Sequence, residues 1–402
     1  MRVLLSTIGS RGDVQPLAGL ARALQTLGQD VRMCVPPDFV EWIGGLGVAA
    51  VPIGPELRYT GKAQPGAAPP TPEQIRQMIE GTVAAQFTTI SAAAQGCDLI
   101  VGATALQVAA PSVAEQMGIP YVFAAYCPAV LPSSQHAPPV LVMRGDQPAT
   151  ADANFAALWE QDTQRWNASW GPALNARRSA LGLPQVSDVR RHILTRRPWL
   201  AADAALAPWP DSSDEAVFQT GAWILPDERS LDDEVEAFLA AGEPPIYFGF
   251  GSIRAPAEMS RVMIEAARAS GRRAIVSRGW AELSLVDEGN DCLSVGDVNH
   301  QALFKRVAAV VHHGGAGTTT AAARAGAPQA IIAQHYDQYY FAQRVCDLGI
   351  GAAHSSSTPT AETLTNVLRD TLAPHVATRA RSFAAEVRND GAHVAARALL
   401  RQ

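Results

Sequence analysis

The chain has 402 residues, 48% of them hydrophobic and 17% charged, with a formal net charge of −6. This length predicts two domains, because single cores seldom grow beyond about 250–300 residues, and the low charged fraction excludes a disordered chain. The negative balance excludes a nucleic-acid polymer as the main partner, and no apolar run approaches the ~18 residues of an integral membrane span.

The opening Val3–Thr7 is a short apolar strand that runs into Gly9-Ser10-Arg11-Gly12-Asp13. After Pro16, residues Leu17, Leu20, Ala21, Leu24 and Leu27 repeat at helical spacing. Gly28 closes that helix, and Val31–Val35 begins the next strand. The apolar start, Met1–Leu5, ends at Ser6 and is too short for a signal-peptide core. Residues 98–102 and 120–123 are further strands, with a helix through 113–117 between them. Segments 55–75 and 128–150, rich in Pro, Gly and Ala, are expected as loops. Phe155, Leu158, Trp159, Trp166 and Trp170 share a helical face, which is either core or the wall of a cleft for an apolar substrate.

An acidic, proline-bearing segment from Gly221 to Arg229 reads as a connection between domains, followed by a short helix through Leu239. Strands are expected at 246–252, 273–277, 307–313 and 330–333. Strands alternating with helices predict parallel sheets covered on both faces, hence two α/β domains with ligand at the carboxyl ends of the strands. The five cysteines (34, 97, 127, 292 and 346) are odd in number and far apart, without a C-x-x-C pair. They are expected as reduced core residues of a cytoplasmic protein.

His312-His313-Gly314-Gly315-Ala316-Gly317-Thr318-Thr319 follows a strand and opens a helix placed from Thr320 to Ala325. Small residues let backbone N–H groups approach a phosphate, and a helix N-terminus favours its charge, so this is a diphosphate site. Only two lysines occur, Lys62 and Lys305, and neither adjoins a glycine-rich turn; no P-loop is present, which disfavours ATP or GTP hydrolysis. The first turn lacks the dinucleotide spacing, against a dehydrogenase. No Asp-x-Asp pair occurs, so no metal is proposed to bridge the diphosphate, and its charge falls to helix dipole, His and Arg.

Taken with Val31–Cys34, Gln219–Arg229, Gly249-Phe250-Gly251-Ser252 and Ser277-Arg278-Gly279-Trp280, these segments resemble the GT-B glycosyltransferases that use nucleotide sugars. The likeness spans nearly the whole chain and is to the actinobacterial enzymes that decorate glycopeptide antibiotics of the vancomycin type. It implies two Rossmann-like domains facing across a cleft: residues 1–220 binding the acceptor, 221–243 as linker and 244–380 binding the nucleotide sugar. A C-terminal helix lies in 381–402, its return onto the first domain left open. Asp13 matches the general base that deprotonates the acceptor, although an Asp there also suits a helix N-cap. His313, with Gly314, Gly315, Gly317 and Thr318, matches the diphosphate site. His312 is a second contact or only the end of a strand. Ser10 and Arg11 approach the phosphates from the first domain, Ser252 and Arg278 from the second. Arg278, Trp280 and Val298 form the nucleobase wall. Asp337 and Gln338 match the pair that hydrogen-bonds sugar hydroxyls, with Asp337 as a second base the alternative.

The resemblance thus implies an inverting, metal-independent transfer from a TDP- or UDP-sugar, needing no cofactor, to a hydroxyl of a small-molecule, natural-product aglycone. A monomer is expected. The competing readings are a nucleotide-sugar epimerase of the same fold and a non-catalytic helper of a partner transferase. Retention of Asp13, His313 and Asp337 together counts against both.

Overall fold

A computed structural model describes residues 1–60, 70–104, 106–140, 149–150, 153–210, 217–252, 258–280, 282–287 and 289–401. The first sheet contains β1 (Arg2–Thr7), β2 (Asp30–Val35), β3 (Ala49–Pro52), β4 (Leu99–Ala103), β5 (Tyr121–Ala125), β6 (Trp199–Leu200) and β7 (Phe218–Gln219). Their order is β3-β2-β1-β4-β5-β6-β7, every pairing parallel. The second contains β8 (Ile246–Gly249), β9 (Ala274–Ser277), β10 (Cys292–Val295), β11 (Ala309–His312), β12 (Gln329–Ile331) and β13 (Gly351–Ala353). It repeats the plan, β10-β9-β8-β11-β12-β13, again parallel.

Side-chain alternation decides what each face carries. Val3 and Leu5 are level with Val31, Met33, Leu99 and Val101 and face the helix Arg11–Thr26, whose Leu17, Leu20 and Leu24 are fully buried. Each such leucine contributes about 1.5–3 kcal/mol relative to exposure. Leu4 and Ile100 point the other way, onto Val83, Phe87 and Ile90 of helix Pro72–Ala93 and Val113 of helix Ala110–Met117. The helices after β1 and β4 therefore cover opposite faces, and a crevice opens where they part. The second sheet splits in the same way. Helix Met259–Ala269, after β8, packs on one side, and Ala322 of helix Ala316–Ala325, after β11, lies on the other.

The last helix, Gly391–Leu399, crosses back. Its Ala392, Ala395, Ala396 and Leu399 share a cluster with Val14, Leu17 and Leu24 of the first domain. The connecting segment lies against the first helix too, with the Ile224 backbone 3.0 Å from where a side chain at Gly19 would begin.

Several expectations are corrected. The first helix starts at Arg11 with Ser10 as its N-cap, so Asp13 lies in the first turn and is not itself the N-cap, and Pro16 is tolerated inside the helix. The helix after β11 starts at Ala316, four residues before Thr320. Segment 55–75 is not all loop, since helices cover Leu57–Thr60 and begin again at Pro72; residues 61–69 and 141–148 lie outside the described set. Cys34, Cys97, Cys127 and Cys292 are buried, but Cys346 is exposed.

Candidate active site

The turn after β1 places Asp13. Ser10 is the N-cap of helix Arg11–Thr26, and the Asp13 carboxylate reaches back to accept the Ser10 N–H at 2.7 Å, a reciprocal capping box. Gly9 is required here: a Cβ on it would fall inside the Asp13 carboxylate. The phenol of Tyr126, which follows β5, donates to the Asp13 backbone oxygen at 3.0 Å and braces the turn from two strands away. Asp13 is thus an N-terminal capping residue and also a cleft residue. Burial pushes its carboxyl up to about 6, against the lowering pull of the Ser10 hydrogen bonds.

Across the cleft, the turn after β12 places Asp337 as N-cap of helix Gln338–Asp347. Burial first, and then the like charge of Asp13, push it up to about 7. The charge of Asp13 in the first domain therefore acts on Asp337 in the second and hinders its ionisation.

The loop after β11 is built around two histidines with separate tasks. His312 is fully buried, and its Nδ1 accepts the Gly314 N–H at 3.1 Å while Nε2 meets the Gln329 amide oxygen at 2.9 Å. This bond pattern fixes the Nε2–H tautomer, and burial pushes the ring down to about 4. With both nitrogens committed, His312 holds the loop, and its assignment as a diphosphate contact is corrected. His313 is half-buried beyond the strand end. Its Nδ1 is buried without a partner among the described residues, and burial pushes the ring down to about 3. A neutral imidazole with an unused polar atom sits where the loop opens.

Gly314 has φ of 91°, and a Cβ there would meet Ile331 Cγ2 at 2.8 Å and the Gln338 backbone oxygen at 3.1 Å. Only glycine fits that close approach. Gly315 is the N-cap of helix Ala316–Ala325, with no side chain to occupy the first amides. Thr319 and Thr320 return their hydroxyls to the Gly315 and Ala316 backbone oxygens at 2.9 and 2.7 Å. The half-buried Thr318 has no hydrogen-bonded side chain among the described residues, nor has Ser252 at the end of the β8 turn.

Other expected residues sit differently. The Arg11 guanidinium lies 3.6 Å over the Trp42 ring, with its Nε donating to Gln15 at 2.9 Å. Desolvation lowers its pKa, and Asp297 across the domain boundary opposes that. Trp280 stacks on Phe39 of the first domain at 5.8 Å and 17°, so one face of the expected nucleobase wall is already taken. Arg278 is exposed and Val298 half-buried on the second-domain core. Gln338 is only 3% exposed, and its amide oxygen accepts the N–H groups of Gln334 and His335 at 2.8 and 3.3 Å. That oxygen shapes the loop, which leaves only the amide N–H₂ for the expected sugar contact. Sequence reasoning missed Phe39, Trp42 and Tyr126, since no local pattern ties a residue to a partner on another strand or domain.

On the acceptor side, Trp159 is buried and its indole N–H donates to the His136 oxygen at 2.8 Å. Trp166 and Trp170 stack at 6.0 Å, half-buried against the same core. Of the five aromatic-face residues, Trp159 is buried, and Phe155, Leu158, Trp166 and Trp170 are half-buried.

The N-terminal domain of glycosyltransferase family 28 matches residues 3–133, and the C-terminal domain typified by erythromycin biosynthesis protein CIII matches residues 284–396. Glycosyltransferase GtfE of Amycolatopsis orientalis is 50% identical over 98% of this chain and 96% of its own. The vancomycin aglycone glucosyltransferase of the same organism is 50% identical over 100% and 97%. In the solved structures, the glycosyltransferase VinC in complex with dTDP matches with a TM-score of 0.68 at 22% identity, over 100% of this chain and 99% of that one. No helix among the described residues is long and apolar enough to cross a membrane. Facing switch points on two parallel sheets, and full-length identity of one half to these enzymes, make the chain a glycosyltransferase of GT-B fold that belongs to the family of the vancomycin-type glycopeptide-antibiotic glycosyltransferases.

Proposed function

We propose that the protein transfers a sugar, with inversion and without a metal, from a TDP- or UDP-sugar to a hydroxyl of a natural-product aglycone of the glycopeptide-antibiotic kind. The observation that carries this reading is the pairing of switch points: a half-buried Asp13 from the first sheet opposite an open helix N-terminus with His313 from the second. The full-length relative that acts on vancomycin aglycone supports the acceptor class, and the structural neighbour crystallised with dTDP supports the donor. The epimerase and helper readings are not favoured, because the full-length relatives are named as transferases.

Asp13, at the carboxyl end of β1 where the resemblance places the general base, takes the acceptor proton. The acceptor oxygen then bonds the anomeric carbon from the face opposite the leaving group, and the bond from that carbon to the diphosphate oxygen breaks. Charge developing on the departing diphosphate meets the first amides of helix Ala316–Ala325, the Thr318 hydroxyl and a neutral His313, with Ser252 and Arg278 from the near side and Ser10 and Arg11 from the far side. Asp337, held near 7, is left to the sugar hydroxyls. The domains must close over the donor to exclude water, since hydrolysis competes.

The test is thermal unfolding with TDP, UDP and their glucose conjugates, with and without EDTA, together with the anomeric configuration of the product. Stabilisation by one nucleotide that ignores chelation, and a product of inverted configuration, are expected. Stabilisation that disappears with EDTA, or retained configuration, would overturn the mechanism.

A further inference from the structure

The capping box holds the Asp13 carboxylate to its own turn, but it does not hold that turn to the sheet. Pro16 has no N–H to give the Gly12 oxygen, so the turn that carries Asp13 is one internal hydrogen bond short. The Tyr126 phenol supplies a bond from outside, donating to the Asp13 backbone oxygen at 3.0 Å from the end of β5, with β4 in between. Burial, and then the charge of Asp13, keep that phenol protonated, so it stays a donor at neutral pH.

Tyr126 is itself fixed by the connection between the domains. The Trp223 ring meets it edge to face, with centroids 6.2 Å apart and planes at 74°. Trp223 is 4% exposed, and its indole N–H donates to the Thr220 hydroxyl at 2.9 Å, which in turn donates to the Gly221 oxygen at 2.9 Å. The Thr220 N–H donates to the Leu200 oxygen of β6 at 3.0 Å, so the tryptophan is tied to the first sheet as well. Gly221 lies where the last helix returns, and a Cβ on Gly391 would fall on its backbone. A buried phenol or indole needs an acceptor wherever it lies. What sets this pair apart from ordinary core is where its contacts begin and end: at the segment that joins the domains, and on the turn that aims the base.

We propose that Tyr126 is a positioning residue for Asp13, held in place by Trp223 of the interdomain connection, so that the base stays aimed at the acceptor hydroxyl. This rests on the transferase reading above, in which Asp13 is the base. A misplacement of about 1 Å can cost up to about 10²-fold in rate, whereas nucleotide binding at the loop after β11 does not depend on it.

Tyr126→Phe keeps the ring against Trp223 and removes the hydroxyl. With vancomycin aglycone as acceptor and TDP-glucose or UDP-glucose as donor, the single-turnover rate is expected to fall about tenfold, with the Kd for TDP or UDP unchanged within about twofold. Placed in Asp13→Asn, the same change is expected to alter the residual rate by less than about twofold, because no base is left to aim. A merely structural hydroxyl would slow both backgrounds equally or neither, and either result overturns the proposal. Should Tyr126→Phe fail to fold, Trp223→Phe removes the indole N–H and is read by the same pair of rates: slower in the parent, unchanged in Asp13→Asn. Asp13→Asn as fast as the parent, or a parent that transfers no glucose to the aglycone while TDP or UDP still stabilises it, would instead overturn the transferase reading and the positioning role with it.

Discussion

Replacing Asp13 by Asn separates the chemical use of the carboxylate from its structural cost. Asn keeps an oxygen that can accept the Ser10 N–H, so the capping geometry survives, but it cannot take a proton from the acceptor. Loss of a general base lowers turnover by roughly 10²–10⁴-fold, and a fall of at least a hundredfold in kcat is expected with nucleotide affinity unchanged. The folded state holds this carboxyl at about 6 instead of its ordinary 3.8. A raised pKa means that the folded protein binds the proton more tightly than the unfolded chain. The penalty is therefore absent below about pH 4, grows as pH rises and is complete above about 6. At about 1.4 kcal/mol per pH unit the full penalty is about 3 kcal/mol, and solvent at a half-buried site reduces it to about 1–3 kcal/mol. Thermal unfolding from pH 4 to 8 should show Asp13→Asn matching the parent near pH 4 and exceeding it by about 1–4 °C at pH 8. A variant as active as the parent would refute the base assignment, and one less stable at pH 8 would refute the burial argument.

Further outcomes follow from the same loops. His313→Ala should weaken TDP or UDP binding about tenfold or more by calorimetry, and an unchanged affinity would remove His313 from the diphosphate site. His312→Ala should behave as a core defect: the Gly314 N–H and the Gln329 amide lose their partners, at about 2–4 kcal/mol in chemical denaturation, with kcat per folded molecule retained. Lost nucleotide affinity at parental stability would contradict that. Turnover should be the same in EDTA as in buffer, and a loss restored by Mg²⁺ or Mn²⁺ would show that a metal bridges the diphosphate. In the pH–rate profile, kcat/KM should fall on the acid side near pH 6, where Asp13 takes up its proton. A flat profile down to pH 4 would mean that another group is the base.

The elements legible in the sequence are those with a strong local period. Val3–Thr7, Val31–Val35 and Ile246–Gly249 are runs that only a buried parallel strand suits, and the glycine turns after β1 and β11 carry their own chemistry. The strands that went unread, Ala49–Pro52, Trp199–Leu200, Phe218–Gln219, Cys292–Val295 and Gly351–Ala353, are two to four residues long or made of Ala and Gly. They are strands because a neighbour offers a ladder, which no window of sequence reports. The glycine-rich turn after β11 was legible as an anion site from its small residues at a strand–helix junction, whereas the roles of Asp13 and His313 came from the family resemblance.

What remained was a matter of partners distant in the chain. His312 and His313 are adjacent and of the same type, yet the strand's alternation buries one between Gln329 and Gly314 and leaves the other at the mouth of the loop. Trp280 meets Phe39, and the Tyr336 N–H meets Val140, only because two separate sheets fold face to face. The sequence alone determined two α/β halves, the positions of both ligand turns and the absence of a lysine from them. Tertiary structure alone decided that both carboxyls are buried in the cleft. Burial raises both pKa values, and the charge of Asp13 raises that of Asp337 further, because the ionisation energy depends on solvent and charge in space and not on distance along the chain.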